Sequence, residues 1–249
     1  MSTNIPSSHP RYESLMLRER LAEGFRKGFV HETGLIAHGR GEAFDYLIGE
    51  KTVSIADKAS KVAACVLLLA DHPVISVNGN VVALVAKEIS DLSKAVPCDI
   101  EVNLFHRTEE RMNRLISEMK KTGGQAILGA EANARIPGLS HDRGFCSKKG
   151  IFSADVVLVP LEDGDRCLSL RKMGKTVITI DLNPLSRTAK TAQVTIVDNV
   201  IRAIPRVQYW IDRLKSEPVD TLKEIVDGWD NEFGLNEIQK VMCSRVQKD

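Results

Sequence analysis

Apolar and polar positions change period twice along the chain, and the two changes mark off three stretches. Before Pro73 the pattern is helical: Leu17, Leu21 and Phe25 recur at four-residue spacing, with Arg18 beside Phe25 at the stripe's edge. A Gly-punctuated loop follows. Residues 42–48 read as a short helix closed by Gly49, and Ser54 with Asp57 forms a capping box for a helix running to Ala70. From Pro73 short β-rich runs alternate with helical ones. Residues 74–77 are a strand that Asn78-Gly79-Asn80 turns into a helical pattern over 81–95. Residues 100–105 are a second strand, and Thr108 opens the next helix with Glu109 and Glu110 in its first turn. Runs at 126–128, 155–159, 177–180 and 194–197 complete the set. After Asn199 the helical period returns, with Pro205 and Pro218 as breaks. Strands alternating with helices predict right-handed crossovers and a doubly wound, mostly parallel α/β sheet. The expected organisation is a single domain over 1–249: a helical segment (1–72), an α/β core (73–200) and C-terminal helices (201–249).

Composition narrows the partners. Charged residues are 27% of the 249, yet the formal net charge is only +1. A nucleic-acid or membrane-surface binder would show a basic excess, so neither partner is expected. An anionic ligand then depends on local arginines. The five cysteines are scattered without a CxxC pair, which argues against a disulfide framework or a structural zinc site. The opening MSTNIPSSHPRYES lacks signal-peptide regions, and the longest apolar run, 62–70, is far short of the roughly 20 residues that span a bilayer. The expectation is a soluble cytoplasmic protein.

In open α/β sheets ligands bind beyond the carboxyl ends of the strands, so the polar residues there carry the information. Asn78-Gly79-Asn80 could cradle a phosphate at a helix start, or simply cap that helix. His106-Arg107-Thr108 offers an arginine for a ribose 2′-phosphate, or a helix cap beside a solvated arginine. The acids Glu162, Asp163 and Asp165 with Arg166 suit Mg²⁺ and polyphosphate, and equally the first turn of a helix. Ile36-Ala37-His38-Gly39-Arg40-Gly41-Glu42 reads as a loop whose glycines let a ligand approach while Arg40 reaches it, with His38 as phosphate donor or base. The run 176–188, TVITIDLNPLSRT, ends a core strand in more polar groups than a turn needs. Residues 129–150 lack periodicity and are basic, and they are open to three readings: a lid over an anionic ligand, disorder, or a dimer contact. GxGxxG, GxxxxGK[ST] and GxSxG are all absent.

HPRYESL, GLIAHGRGEAFDYLIGE, HPVISVNGN, VNLFHRTEER, VVLVPLEDGDR, ITIDLNPLSRTAKTA and VTIVDN occur in that order. With them the chain resembles the archaeal phosphopantothenate synthetase family, the 4-phosphopantoate–β-alanine ligases, over roughly residues 9–205. The tail from Arg206 matches less clearly. The resemblance implies a Rossmann-like, Mg²⁺-dependent homodimer of coenzyme A biosynthesis. Such an enzyme joins 4-phosphopantoate to β-alanine with release of AMP and diphosphate. It implies ATP held by Arg18, Arg40, Asp181, Leu182, Asn183, Arg187, Thr188, Asn199 and Val200. It identifies no catalytic base. Asn78, Asn80, Asn103 and His38 are the expected phosphopantoate side, His38 and Arg40 the catalytic candidates, and Glu162, Asp163 and Asp165 the metal candidates. Two rivals remain: an NADP-dependent oxidoreductase resting on Arg107, and a nucleotide-sensing module without turnover.

Overall fold

The computed structural model describes residues 5–123, 126–161 and 163–247, and each of the six apolar runs is a strand in it. In chain order the strands are β1 (Pro73–Val77), β2 (Asp99–Val102), β3 (Ile127–Leu128), β4 (Ala134–Arg135), β5 (Phe145–Cys146), β6 (Val156–Pro160), β7 (Thr176–Ile180) and β8 (Val194–Ile196). Six form one sheet in the order β3-β2-β1-β6-β7-β8, with every pairing parallel. This is the doubly wound, Rossmann-like arrangement. Side chains alternate across it. Ile75, Leu158 and Ile178 enter one core, while their neighbours Val74, Val157 and Val177 enter the other. Burial on both faces is why these runs are continuously apolar.

The larger core is covered by α1 (Tyr12–Arg26), α3 (Ser54–Leu69), α4 (Gly79–Ala95), α5 (Glu109–Lys121) and α8 (Val200–Leu214), and α2 (Glu32–Ile48) lies above it across the strand ends. The opposite face carries α6 (Gly164–Lys172) and the segment between β3 and β6. That segment was aperiodic in sequence, and it is packed structure rather than an open lid. Ile136, Leu139, Cys146 and Ile151 are buried against the sheet, and β4 pairs with β5 as a short antiparallel ribbon. Glu101, wholly buried on β2, anchors it by accepting from the backbone N–H of Ser147 (2.8 Å) and Ile151 (2.7 Å). Burial raises this carboxyl above the usual range, and the two N–H donors oppose the rise. Its apolar residues fall at irregular spacing because the chain there follows tertiary contacts instead of a helix or strand period.

Smaller differences have local causes. Phe25 is largely exposed and Gly24 is buried in its place against Val30. Val53 rather than Ser54 precedes α3, and Asp57 accepts from Arg206 and from the Trp210 indole at 2.7 Å. Pro205 lies inside α8 instead of breaking it. A proline there costs about 3 kcal/mol, but Val200, Ala203, Ile204, Val207 and Ile211 bury one face at helical spacing. Burying each large side chain returns about 1.5–3 kcal/mol. Pro218 does break the chain, preceding α9 (Val219–Asp227). After α6 and the short α7 (Arg187–Thr191), the last helix, α10 (Asn231–Val246), closes the sheet's β8 edge: the Asn231 side chain accepts from Thr195 N–H at 2.8 Å. No described helix is long and apolar enough to cross a membrane.

Candidate functional site

Strand order reverses between β1 and β6, and that crevice is where a doubly wound sheet accepts ligands. Asn78 ties its two banks together. Its Oδ1 accepts from Val81 N–H, capping α4, while its amide donates to the Leu161 carbonyl at the tip of β6. Leu161 has φ of 60°, a left-handed conformation that a branched residue holds at some cost in strain. Beyond the strand tips, beneath α2, lies a cleft of about 630 Å³. A larger groove of about 860 Å³ borders the starts of β7, β8 and α10, away from the convergent strand ends.

Residues 36–42 are helical, contrary to the loop expected for them, and α2 runs unbroken from Glu32 to Gly49, its left-handed cap. Three glycines, Gly34, Gly39 and Gly41, at about 1 kcal/mol each disguise it in sequence. The close approach also falls on a different glycine. A Cβ at Gly34 would sit 2.4 Å from Asn80 Oδ1, whereas one at Gly39 would meet open space. Thus α2 passes over the start of α4 at Gly34, over β7 at Gly41, which faces Leu182, and reaches Asn199 at Asp45. At 1.5 Å per residue, Gly34 and Gly41 are about 10 Å apart. His38 and Arg40 lie between them on the cleft.

At the β7 end much of the polar surplus after Ile180 organises its own turn. Asp181 accepts from Asn183 N–H at 2.9 Å and from the Ser186 hydroxyl, Asn183 accepts from Leu185 N–H, and Ser186 caps α7. Burial raises the Asp181 carboxyl above the carboxylate range, opposed by Ser186, the Asn183 N–H and the charge of Arg40. Among the described residues no carboxylate is paired with Arg40. Leu182, Asn183, Thr188, Asn199 and Val200 also line this end. The Asn199 amide donates to Asp45 at 2.8 Å while its oxygen caps α8. Arg18 and Arg187 are not in the cleft wall. Arg18 Nε donates to both oxygens of Glu42 at 3.0 Å, and Arg187 pairs with Asp165 at the exposed rim.

On the β1 side Asn80 donates to the Gly34 carbonyl at 2.8 Å. Asn103, expected at the substrate, is instead fully buried behind the wall, its amide on the Phe145 carbonyl at 2.9 Å. The cleft residue there is Arg143, ion-paired with Asp163 at 2.8 Å. Of the metal candidates, Asp163 lines the cleft, Asp165 does not, and Glu162 lies outside the described residues. No three His, Cys, Asp or Glu among the described residues cluster as a metal cage. Arg107 donates to the carbonyls of Gly129 and Ala130, so its guanidinium holds backbone instead of awaiting a ribose phosphate. The buried thiols offer no nucleophile: burial pushes Cys98 up to about 12 and Cys65 up to about 11.

His38 sits in the middle of the cleft. Its Nε2 is buried without a hydrogen-bond partner, 3.9 Å from Glu42 Oε1. Burial holds its pKa below the ordinary histidine value despite Glu42, so the ring is neutral at pH 7. His31, His106 and Arg111 line the far end, and none of the three was an expected site residue, although His106 precedes Arg107 in the run noted after the second strand. Only their grouping in space distinguishes them from ordinary surface residues.

The family model for phosphopantothenate/pantothenate synthetase matches residues 55–245. A 4-phosphopantoate–β-alanine ligase of Thermococcus kodakarensis is 53% identical over 236 residues, covering 94% of this chain and 90% of its own. One from Methanosarcina mazei is 52% identical over 235 residues, covering 94% and 92%. The chain belongs to the phosphopantothenate/pantothenate synthetase family.

Proposed function

We propose that this protein is an ATP-dependent ligase that joins 4-phosphopantoate to β-alanine, giving 4′-phosphopantothenate, AMP and diphosphate for coenzyme A synthesis. The observation that carries the reading is the cleft under α2. One end is the β7–β8 loop set suited to a nucleotide, the other is basic, and Arg40 and His38 stand between them. Asp181, Asn183, Thr188, Asn199 and Val200 form the nucleotide wall, with Arg18 and Arg187 reaching it only after leaving Glu42 and Asp165. Asn78 and Asn80 flank the pantoate chain, and Asn103 acts through Arg143.

The pantoate carboxylate attacks the α-phosphorus, the bond to the β-phosphate oxygen breaks, and diphosphate leaves. The amine of β-alanine then attacks the acyl carbon and AMP departs with the acyl oxygen's electron pair. The chain's part is chiefly positioning and charge stabilisation. Mg²⁺, which usually rests on substrate phosphates with one or two carboxylates, would be held by Asp163, which lines the cleft wall beside Arg143. Bound there it would offset phosphate charge. The working unit is the whole domain, 1–249, as a cytoplasmic homodimer.

His38 is the proton acceptor for the β-alanine ammonium. Its neutral form is the active one, so the β-alanine step is expected to fail as pH falls through a value below about 6.5. His38→Gln is expected to slow amide formation about 10²-fold and leave diphosphate exchange within a few fold. An equal loss in both steps would remove it from this role.

The reading is tested by mass spectrometry of products from ATP, Mg²⁺, 4-phosphopantoate and β-alanine. AMP and phosphopantothenate in equal amounts are expected. ADP with phosphate would replace the adenylate by an acyl phosphate, and bound ATP without turnover would favour the sensing module.

A further inference from the structure

Glu42 faces two basic side chains and is bonded to one. Each of its oxygens accepts from Arg18 Nε at 3.0 Å, and Arg18 Nη2 stands 2.8 Å from Oε2. On the same face of α2, one turn earlier, His38 points Nε2 at Glu42 Oε1 from 3.9 Å. That is beyond hydrogen-bond reach, and Nε2 is buried without a partner. A buried ring nitrogen held just short of the nearest acceptor is an unmet bond. With Nε2 turned inward, Nδ1 is the nitrogen left to the cleft that His38 lines.

Exposure ranks the three groups. The Arg18 side chain is 45% exposed, while those of His38 and Glu42 are each 12% exposed. An ion pair with one partner in solvent contributes about 0–1 kcal/mol, so Arg18 can leave at little cost. The basic group then left beside the carboxylate is His38. The charges acting on the ring come from α2 and α1: burial and the charge of Arg18 hold its pKa down, and Glu42 and Asp45 pull against them. Asp45 is already engaged by Arg202 and the Asn199 amide. Asp181, after β7, is answered by Ser186, the Asn183 N–H and the charge of Arg40. Glu42 is therefore the acid that can change partner.

We infer that Glu42 is the positioning residue of the His38 base, and that Arg18 holds its carboxylate back until polyphosphate enters the cleft. The inference rests on the ligase reading above, in which Arg18 leaves Glu42 for the nucleotide. Released, Glu42 closes on Nε2, fixes the ring proton there and leaves Nδ1 as the acceptor. The β-alanine ammonium gives its proton to Nδ1. Its nitrogen keeps the electron pair that attacks the acyl carbon, and the imidazolium rests against Glu42. The base becomes effective only once the nucleotide is in place, which is the order the chemistry needs, because a free amine has nothing to attack before the acyl-adenylate exists.

The test is ¹⁵N NMR titration of the histidine-labelled full chain, with and without α,β-methylene-ATP and Mg²⁺, beside the pH profile of kcat/KM for β-alanine. In the wild type the nucleotide is expected to raise the His38 midpoint by about 0.5–1 pH unit, toward the ordinary histidine value, with the neutral ring protonated at Nε2. Glu42→Gln should abolish that rise, mix the two tautomers, and slow the β-alanine step about 10-fold with its acid limb moved to lower pH. It should also lower the KM for ATP several-fold, because Arg18 no longer has a carboxylate to leave, whereas a purely structural tie between α1 and α2 would raise it. Arg18→Met is expected to show the raised midpoint without nucleotide. An equal rise in wild type and Glu42→Gln would overturn the inference, as would an Arg18→Met chain whose resting midpoint matches the wild type. A wild-type chain that shows the Glu42-dependent rise yet forms no amide would sink the ligase reading and leave the exchange of Glu42 between Arg18 and His38 standing.

Discussion

Replacing Arg40 by alanine is expected to slow 4-phosphopantoate-dependent exchange of diphosphate into ATP about 10²–10³-fold, the usual effect of losing one aimed charge donor. Arg40 lies on the cleft face of α2, close enough for its charge to act on Asp181. Among the described residues no carboxylate forms an ion pair with it. Two anions must meet for adenylation, the pantoate carboxylate and the triphosphate, and their repulsion rises as they close. A cation between them acts most strongly at the point of attack, so the loss falls on the exchange rate more than on ATP affinity. Arg40 is exposed, and stability should change by no more than about 0.5 kcal/mol. Arg40→Lys restores the charge without the planar fork, so partial recovery is expected. Exchange within a few fold of wild type in Arg40→Ala would remove the residue from this step.

The sheet was legible because a strand buried on both faces has to be apolar throughout, and helices must separate parallel strands. Strand order is not local information: that β1 neighbours β6, and that Asn78 bonds the Leu161 carbonyl across the gap, depends on the folded sheet. Helix α2 was half hidden because its three glycines weaken the helical pattern, and Gly34 is explained only by Asn80 pressed against it. The residues after Ile180 were rightly conspicuous, yet much of their polarity builds the turn itself. Asn103 looked like a ligand group from its position after a strand, but burial turns its amide toward the Phe145 carbonyl. Arg111 shows the opposite error. An arginine three residues past a helix cap is unremarkable in sequence, and only the folded chain brings it to the cleft wall.

The position of α2 depends on a charge cluster at its carboxyl end, and Arg202→Met is expected to lower the unfolding free energy by about 3–5 kcal/mol at neutral pH, the range for stripping one partner from a buried ion pair. Arg202 donates to Asp198 Oδ1 at 2.8 Å and also pairs with Asp45, while the Asn199 amide donates to Asp45 and the Thr52 hydroxyl to Asp198. Asp45 is 7% exposed and Asp198 1%. Methionine fills comparable volume, so the loss reports two facing carboxylates without their cation. The sign of the pH dependence follows from Asp198, whose pKa burial already raises against the pull of Arg202. A raised carboxyl contributes stability that is present below its unfolded value and lost as pH rises through the folded one. Without Arg202 the rise is larger, so the defect should be greatest at pH 7 and shrink as pH falls toward the carboxylate range. Urea unfolding at several pH values measures this, and a pH-independent loss below about 1 kcal/mol would show the cluster to be dispensable. Adding Asp45→Asn to Arg202→Met should recover part of the stability, because one of the two stranded charges is gone. Activity should not return with it: Asp45 and Asn199 join α2 to the tip of β8, and His38 and Arg40 are held over the cleft only while that end of the helix is fixed.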